Sequence, residues 1–506
     1  MASASLQIYK FQNKKKKLFW HFKHQNKHKK RPYFKHVFAW FELRSRADLQ
    51  IISQLKYVHT YRFTIGFSIL QATPITIMKQ LLRSGLLIAA ACLVTSHAIA
   101  QTSKKELAKQ ILADRDMDTV QARALRLLTG FTAGTSYGEI WIRDFNTFIK
   151  GSLKARSQQD VKDALLLFFK IQGADGNIPD GAIPKEKANV GYKYLYSDLA
   201  PGWAIHKNTV ETDQESSLIQ AVKKYVDATG DRTILQEKIG DRTVAERLES
   251  ALKYVRKERW SDKYGLVTGA TTIDWGDVQA ETGWGVAIND KTKWAIDIYD
   301  NAMFLSAVQD YLAMTKDYRM WEIEAKLLKK NIRKHLWDAK AKKYIPHIYL
   351  NGSPFPDTFK EREILYQGGS TCAILAGLHK KKEIKAINQQ MLDMVAKEQH
   401  ATIGMTVYPP YPAEQFPNMA PYNYQNGGDW TWFGGRMIQA LIQNNLPNEA
   451  YTEMQPMIAR VIKNKGFYEW YDVRNGAPKG SGDFRGEAGV LYDAITQLRA
   501  WALENK

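Results

Sequence analysis

The chain has 506 residues and a formal net charge of +20, yet its basic residues are unevenly spread. Residues 1–77 carry fifteen Lys/Arg against two Asp/Glu, and Lys79 and Arg83 add two more positive charges. The part from Gln101 onward therefore keeps only about +5, an ordinary surface that gives no footprint for nucleic acid. There are two cysteines, Cys92 and Cys372, and no Cys/His cluster with zinc spacing, so neither a disulfide framework nor a zinc site holds the fold.

In chain order, residues 1–77 read as a basic extension that is non-native or disordered, with Lys14–Lys17 as its densest run. Residues 78–100 read as a signal peptide. Lys79 and Arg83 form its positive start, Leu86–Val94 its apolar stretch, and Ala98-Ile99-Ala100 a small-residue cleavage site. Cleavage near Ala100 implies a periplasmic or secreted protein. Its mature chain would begin at Gln101, keep only Cys372, and carry no transmembrane segment.

Residues 101–506 form one domain with helical periodicity over most of its length. The spacing predicts helices over 104–128, 144–155, 158–172, 212–229, 241–258, 297–315, 318–336, 368–379, 381–397, 430–444, 447–464 and 485–504. The joints alternate. Those near 156–157, 316–317, 380 and 445–446 are short, and that at 230–240 is somewhat longer. Those at 129–143, 173–211, 259–296, 337–367, 398–429 and 465–484 are long and rich in Gly, Pro, Trp and Tyr. Short joints make antiparallel helix pairs, so the long ones all fall at one end. Six hairpins closing on themselves give an all-α (α/α)6 toroid with one decorated mouth, and short strands are expected in some loops, as at Lys343–Leu350. Long ordered loops of this kind carry function.

Those loops combine carboxylates with aromatic rings. The segments are Tyr137-Gly138-Glu139-Ile140-Trp141-Ile142-Arg143-Asp144, Asp274-Trp275-Gly276-Asp277, Asn426-Gly427-Gly428-Asp429-Trp430-Thr431-Trp432 and Gly466-Phe467-Tyr468-Glu469-Trp470-Tyr471-Asp472. Rings stack on sugar faces, and carboxylates bind hydroxyls and move protons, so the pattern points to glycoside chemistry. That reaction needs an acid to protonate the leaving oxygen and a carboxylate on the opposite face; with inversion the second carboxylate activates water. Asp277 is read as the acid, with Asp274 as its competitor, and burial beside Trp275 and Trp284 would keep it protonated. Glu469 is read as the base, with Glu487 as the alternative. Tyr137, Trp141, Arg143, Asp144, Asp213, Gln214, Trp275, Asn426, Trp430, Trp432 and Glu487 complete the candidate substrate-binding set. Arg143 and Asp144 could instead form a surface ion pair, and Asp213 could simply serve a helix start.

The four segments, in this order, resemble motifs of the six-hairpin glycosidases, which include glucoamylase, processing α-glucosidase, trehalase and glycogen-debranching glucosidase. Trp141-Ile142-Arg143-Asp144 is similar to their W-x-R-D segment, whose Arg and Asp grip the terminal sugar. Asp274-Trp275-Gly276-Asp277 is similar to the segment that supplies the general acid. Asn426–Trp430 resembles N-G-G-x-W-P, with Thr431 in place of the Pro, and Phe467–Asp472 resembles the segment whose Glu acts as base. The resemblance implies an inverting exo-acting glycoside hydrolase, most simply an α-glucosidase acting on oligosaccharides, with no cofactor and no metal. Other (α/α)6 chemistries stay open. Sugar epimerases rely on paired histidines and polysaccharide lyases on Tyr, His and Arg, whereas the mature chain has five His, of which His206, His347 and His400 lie in long loops and none belongs to a compact cluster. A non-catalytic carbohydrate-binding protein is the third reading.

Overall fold

The alternation of short and long joints is realised as a closed ring of helices. The computed structural model describes residues 103–188, 193–281, 286–315 and 319–506. The expectations for residues 1–77, for the signal at 78–100 and for Trp284 lie outside the described residues. After a helical stretch over 103–113, twelve helices follow: α1 (Arg115–Leu127), α2 (Ile142–Ala155), α3 (Gln158–Lys170), α4 (Gln214–Thr229), α5 (Val244–Glu258), α6 (Ile298–Met314), α7 (Arg319–His335), α8 (Gln367–Leu375), α9 (Lys381–Val395), α10 (Thr431–Gln443), α11 (Pro447–Asn464) and α12 (Arg485–Asn505). The even-numbered helices form the inner ring. α2 packs on α4, α4 on α6, α6 on α8, α8 on α10 and α10 on α12, and α12 returns to α2.

Burial follows from the sequence of each helix. The inner α2 is buried continuously from Ile142 to Ile149, whereas the outer α7 buries only Trp321, Ala325, Leu328 and Ile332. That second spacing is one helical stripe, and the remaining faces carry charged residues together with exposed Met320, Ile323 and Leu327. Each fully buried Leu or Ile contributes about 1.5–3 kcal/mol. Ring closure needs a small residue: a Cβ on Gly489 of α12 would lie 2.4 Å from the Phe148 Cα of α2, so no side chain fits there.

Ends differ from expectation by a few residues, for local reasons. The stretch expected as one helix over 104–128 breaks at Asp114, whose Oδ1 accepts the N–H groups of Asp116 and Met117 and so starts α1 afresh. α5 begins at Val244, later than 241, because Thr243 and Glu246 form a reciprocal capping box.

All six long joints precede inner helices, so they gather at the N-terminal ends of the inner ring. They carry short antiparallel strands: β1 (Ile140–Trp141) pairs with β2 (Gly181–Pro184), and β2 with β3 (Trp203–His206). Lys343–Tyr344 and Ile348–Tyr349 are strands, as the sequence suggested. Among the described residues no helix is long and apolar enough to cross a membrane.

Candidate active site

The site starts where β1 runs into α2. The Ile142 N–H bonds the Asp180 carbonyl of β2's approach at 3.0 Å, which fixes the first turn of α2 against the sheet. Arg143 and Asp144 then point from that turn into the interior. Both are buried, so the alternative of a surface ion pair does not describe them. The Arg143 guanidinium is bonded to the Glu211 carboxylate, while Asp144 Oδ2 lies 3.9 Å from its Nε. The guanidinium also stands over the Trp432 ring, 5.9 Å from its centre. Burial works against the Arg143 charge, but Asp213, Asp180 and Asp144 more than offset it. Burial pushes the Asp144 carboxyl up to about 7, opposed by Arg143 and assisted by Asp180 and Glu469.

Around this pair lies a cavity of about 220 Å³. Tyr137, Trp141, Trp275, Trp430 and Trp432 supply its aromatic wall, and Asp277 and Glu469 enter it from two separate loops. The Tyr137 ring packs on Trp141 at 4.9 Å, and the Trp275 ring meets Trp430 and Trp432 edge-on at 4.8 Å. The indole N–H groups of Trp275 and Trp432, the Asp144 Oδ1 and the Asp277 Oδ1 have no protein partner. Asp180 Oδ1 and Arg143 Nε are likewise without a hydrogen-bond partner; buried polar atoms cost free energy when unpaired, so a wall that leaves several at one small cavity suits a polyhydroxylated ring.

Asp277 and Glu469 have different surroundings. Glu469 Oε2 accepts the Tyr137 hydroxyl at 2.8 Å and the Ser481 N–H at 3.1 Å, and the Tyr424 hydroxyl donates to the same carboxylate. Gly480, at φ +66°, makes room: a Cβ there would stand 2.4 Å from Glu469 Oε2. Burial pushes the Glu469 carboxyl up, and these donors pull it back. Asp277 is also pushed up by burial, with Arg143 opposing. Its backbone is held by Gln425 and Asn208, but its Oδ1 meets no donor. Glu469 takes donors from three other residues, which favour its ionised form, whereas the Asp277 carboxyl takes a side-chain bond from Gln425 and leaves Oδ1 without a donor.

Five sequence candidates take up positions beside the cavity wall. Asp274 adopts φ +53° and turns its carboxylate to the Gly369 N–H at the start of α8, lining a separate space of about 10 Å³. Asp213 lies in that same space and accepts the Tyr299 hydroxyl at 2.7 Å. Gln214 bonds the Asn208 carbonyl and Glu211. Asn426 staples its loop through Tyr411 and Met419. Glu487 accepts the Trp432 N–H at 2.9 Å, at the start of α10.

The cavity also contains residues not singled out from the sequence as ligands: Asp180, His206, Asn208, Glu211 and Phe484. His206 Nδ1 lies 3.6 Å from Asp180 Oδ2. The expectation that no histidine joins a cluster of reactive groups is thus corrected by the β2–β3 pairing, which sets His206 opposite Gly181, next to Asp180. His347 instead bonds Glu361 at 2.7 Å in a buried tyrosine network, so among the described residues one histidine, not a pair, lines the cavity.

With this geometry in view, comparison with solved structures decides the fold. A GH63 mannosylglycerate hydrolase from Thermus thermophilus in complex with Tris matches with a TM-score of 0.57 and 15% identity, over 74% of this chain and 99% of that one. The same enzyme in complex with glucose matches at 0.54 and 15% identity, over the same shares. A GH78 family rhamnosidase of Bacillus sp. GL1 matches at 0.50 and 15% identity, over 75% of this chain and 34% of that one. The chain has the six-hairpin (α/α)6 fold of these glycosidases. No family model matches its sequence, and no curated protein does.

Proposed function

We propose that the protein is an exo-acting glycoside hydrolase that inverts the anomeric centre, and that its substrate is an α-linked glucoside of oligosaccharide type. The observation that carries this reading is the unequal pair, Asp277 and Glu469, facing one small aromatic cavity. Asp277, whose carboxyl burial pushes up, gives its proton to the leaving oxygen. Glu469, whose upward push from burial is opposed by donors from Tyr137, Ser481 and Tyr424, takes a proton from the attacking water. Arg143 and Asp144 hold hydroxyls of the terminal ring against Trp141. A cavity of about 150 Å³ accommodates a benzene ring, so about 220 Å³ suits one sugar ring and the removal of single end units. The choice of glucose rests on the motif resemblance and on the fold neighbour whose structure holds glucose. The apparent signal at 78–100 supports a location in the periplasm or outside the cell.

Proton NMR on residues 101–506 with a panel of α- and β-linked glucosides and mannosides tests this. Early release of a sugar of inverted configuration from the α-glucosides is expected. Retained configuration would make Glu469 a nucleophile, and no release from any member would remove the hydrolase reading.

A further inference from the structure

The cavity's charge is lopsided. Asp144, Asp180, Glu211, Asp277 and Glu469 bring five carboxyl groups to it, while its basic side chains are the Arg143 guanidinium and the His206 imidazole. Glu211 already binds the Arg143 guanidinium and Asp144 stands 3.9 Å from its Nε, so two of the five acids share that one cation. Two of the acids stand at helix starts, Asp144 in the first turn of α2 and Glu211 just before α4, where the backbone amides offset part of their charge. Asp180, Asp277 and Glu469 come from strand ends and loops, away from any helix start, and of the three Glu469 takes the Ser481 N–H and the Tyr137 hydroxyl. Buried, unpartnered indole N–H groups of Trp275 and Trp432 face the same space, so this acid cluster belongs to a built ligand cavity.

We propose that the cavity selects its sugar ring by charge: it turns away a ring bearing a carboxylate, and it favours a ring bearing a protonated amine over the neutral counterpart. A uronate would add a sixth carboxyl group where the guanidinium of Arg143 is already engaged, and a buried like charge is strongly unfavourable. An ammonium would instead find Asp180, Asp277 or Asp144 oxygens that lack a donor. Burial pushes the Asp144 carboxyl up to about 7, so near pH ~6 entry of the amine releases a proton from it. The proposal rests on the sugar-cavity reading above but concerns binding, so it can be tested apart from turnover.

The experiment is titration calorimetry of residues 101–506 at about pH 6 with methyl glycosides of the gluco and manno series, each as neutral sugar, 2-amino sugar and uronate. In at least one series the amino sugar is expected to bind roughly tenfold tighter than the neutral one, and the uronate roughly tenfold weaker. Repetition in buffers of different ionisation heat should show release of about one proton with the amine and none with the neutral sugar. Asp180→Asn should narrow the gap between amine and neutral sugar. A uronate that binds as tightly as the neutral sugar, an amine that binds no tighter, or no binding in either series overturns the proposal. Hydrolysis without this affinity order overturns it and spares the hydrolase reading; the order without hydrolysis does the reverse.

Discussion

Two acid clusters lie side by side in the mouth of the ring, with Trp275 in the wall of both. One holds Asp144, Asp277 and Glu469 around about 220 Å³. The other holds Asp213, Asp274 and Asp300 around about 10 Å³. Burial pushes the carboxyls of both clusters upward, and in the second cluster Asp274 and Asp300 go furthest. Perturbed acids alone therefore do not mark the reacting centre. What separates the clusters is room: in the second, Asp213 Oδ2 accepts the Tyr299 hydroxyl, Asp274 accepts the Gly369 N–H, and about 10 Å³ is too small for a sugar ring.

The sharpest way to break this comparison is to neutralise one acid on each side. Asp277→Asn and Glu469→Gln should each lower kcat/KM by about 10²–10⁴-fold while the melting temperature stays level or rises, since each removes a buried ionisable group from the open cluster. Asp274→Ala should do the opposite. It leaves the amides at the α8 start without their acceptor and puts Ala at φ +53°, costing about 2–4 kcal/mol of stability, while kcat/KM of the folded fraction falls less than about tenfold. Thermal melts and initial rates on the same samples decide the matter. If Asp274→Ala loses activity as deeply as Asp277→Asn, the reacting acid has been misplaced.

The same pair shows what could be read from sequence. The helices were legible because a stripe such as Trp321, Ala325, Leu328 and Ile332 repeats at helical spacing, and the ring because short and long joints alternate. Asp274 and Asp277 were both legible as carboxylates of one segment, but not their division of labour. That depends on a left-handed backbone at Asp274, which Asp tolerates and does not announce, and on where α8 starts ninety-odd residues later. Glu487 serves α10 through a tertiary contact to the Trp432 amide, equally silent in sequence. Asp180 and Asn208 were missed because each is a single polar residue in a long loop, where turn chemistry uses the same residue types. Only the pairing of β1, β2 and β3 brings them to the cavity.

A gentler test uses pH. Asp144 titrates at about 7 in the folded protein, against an ordinary value of 3.8. The folded state thus holds a proton that the unfolded chain has already lost, so stability falls as pH rises from about 4 to about 7. Asp144→Asn removes this slope. Its melting temperature should match the wild type near pH ~4 and exceed it by about 2–6 °C near pH ~8. A wild-type curve that rises over this range would mean that Arg143 holds Asp144 ionised, and that the first cluster is better compensated than its burial suggests.

The smallest expected effect separates two roles for Tyr137. Its ring packs on Trp141 and Phe484, which fits a platform for sugar, but its hydroxyl donates to Glu469 Oε2. Tyr137→Phe keeps the ring and removes the donor. A donor to a carboxylate favours the ionised form, so its loss should raise the Glu469 pKa and move the acidic limb of the kcat/KM profile toward higher pH. We expect kcat to fall about three- to tenfold near pH ~6, where more of the base is now protonated, with KM nearly unchanged. A pure platform would give the reverse: the limb would stay in place and neither constant would move, because the phenylalanine ring still covers the sugar. A shifted limb would tie Tyr137 to the one carboxylate of the open cluster that has to stay ionised, a service for which the closed cluster has no use.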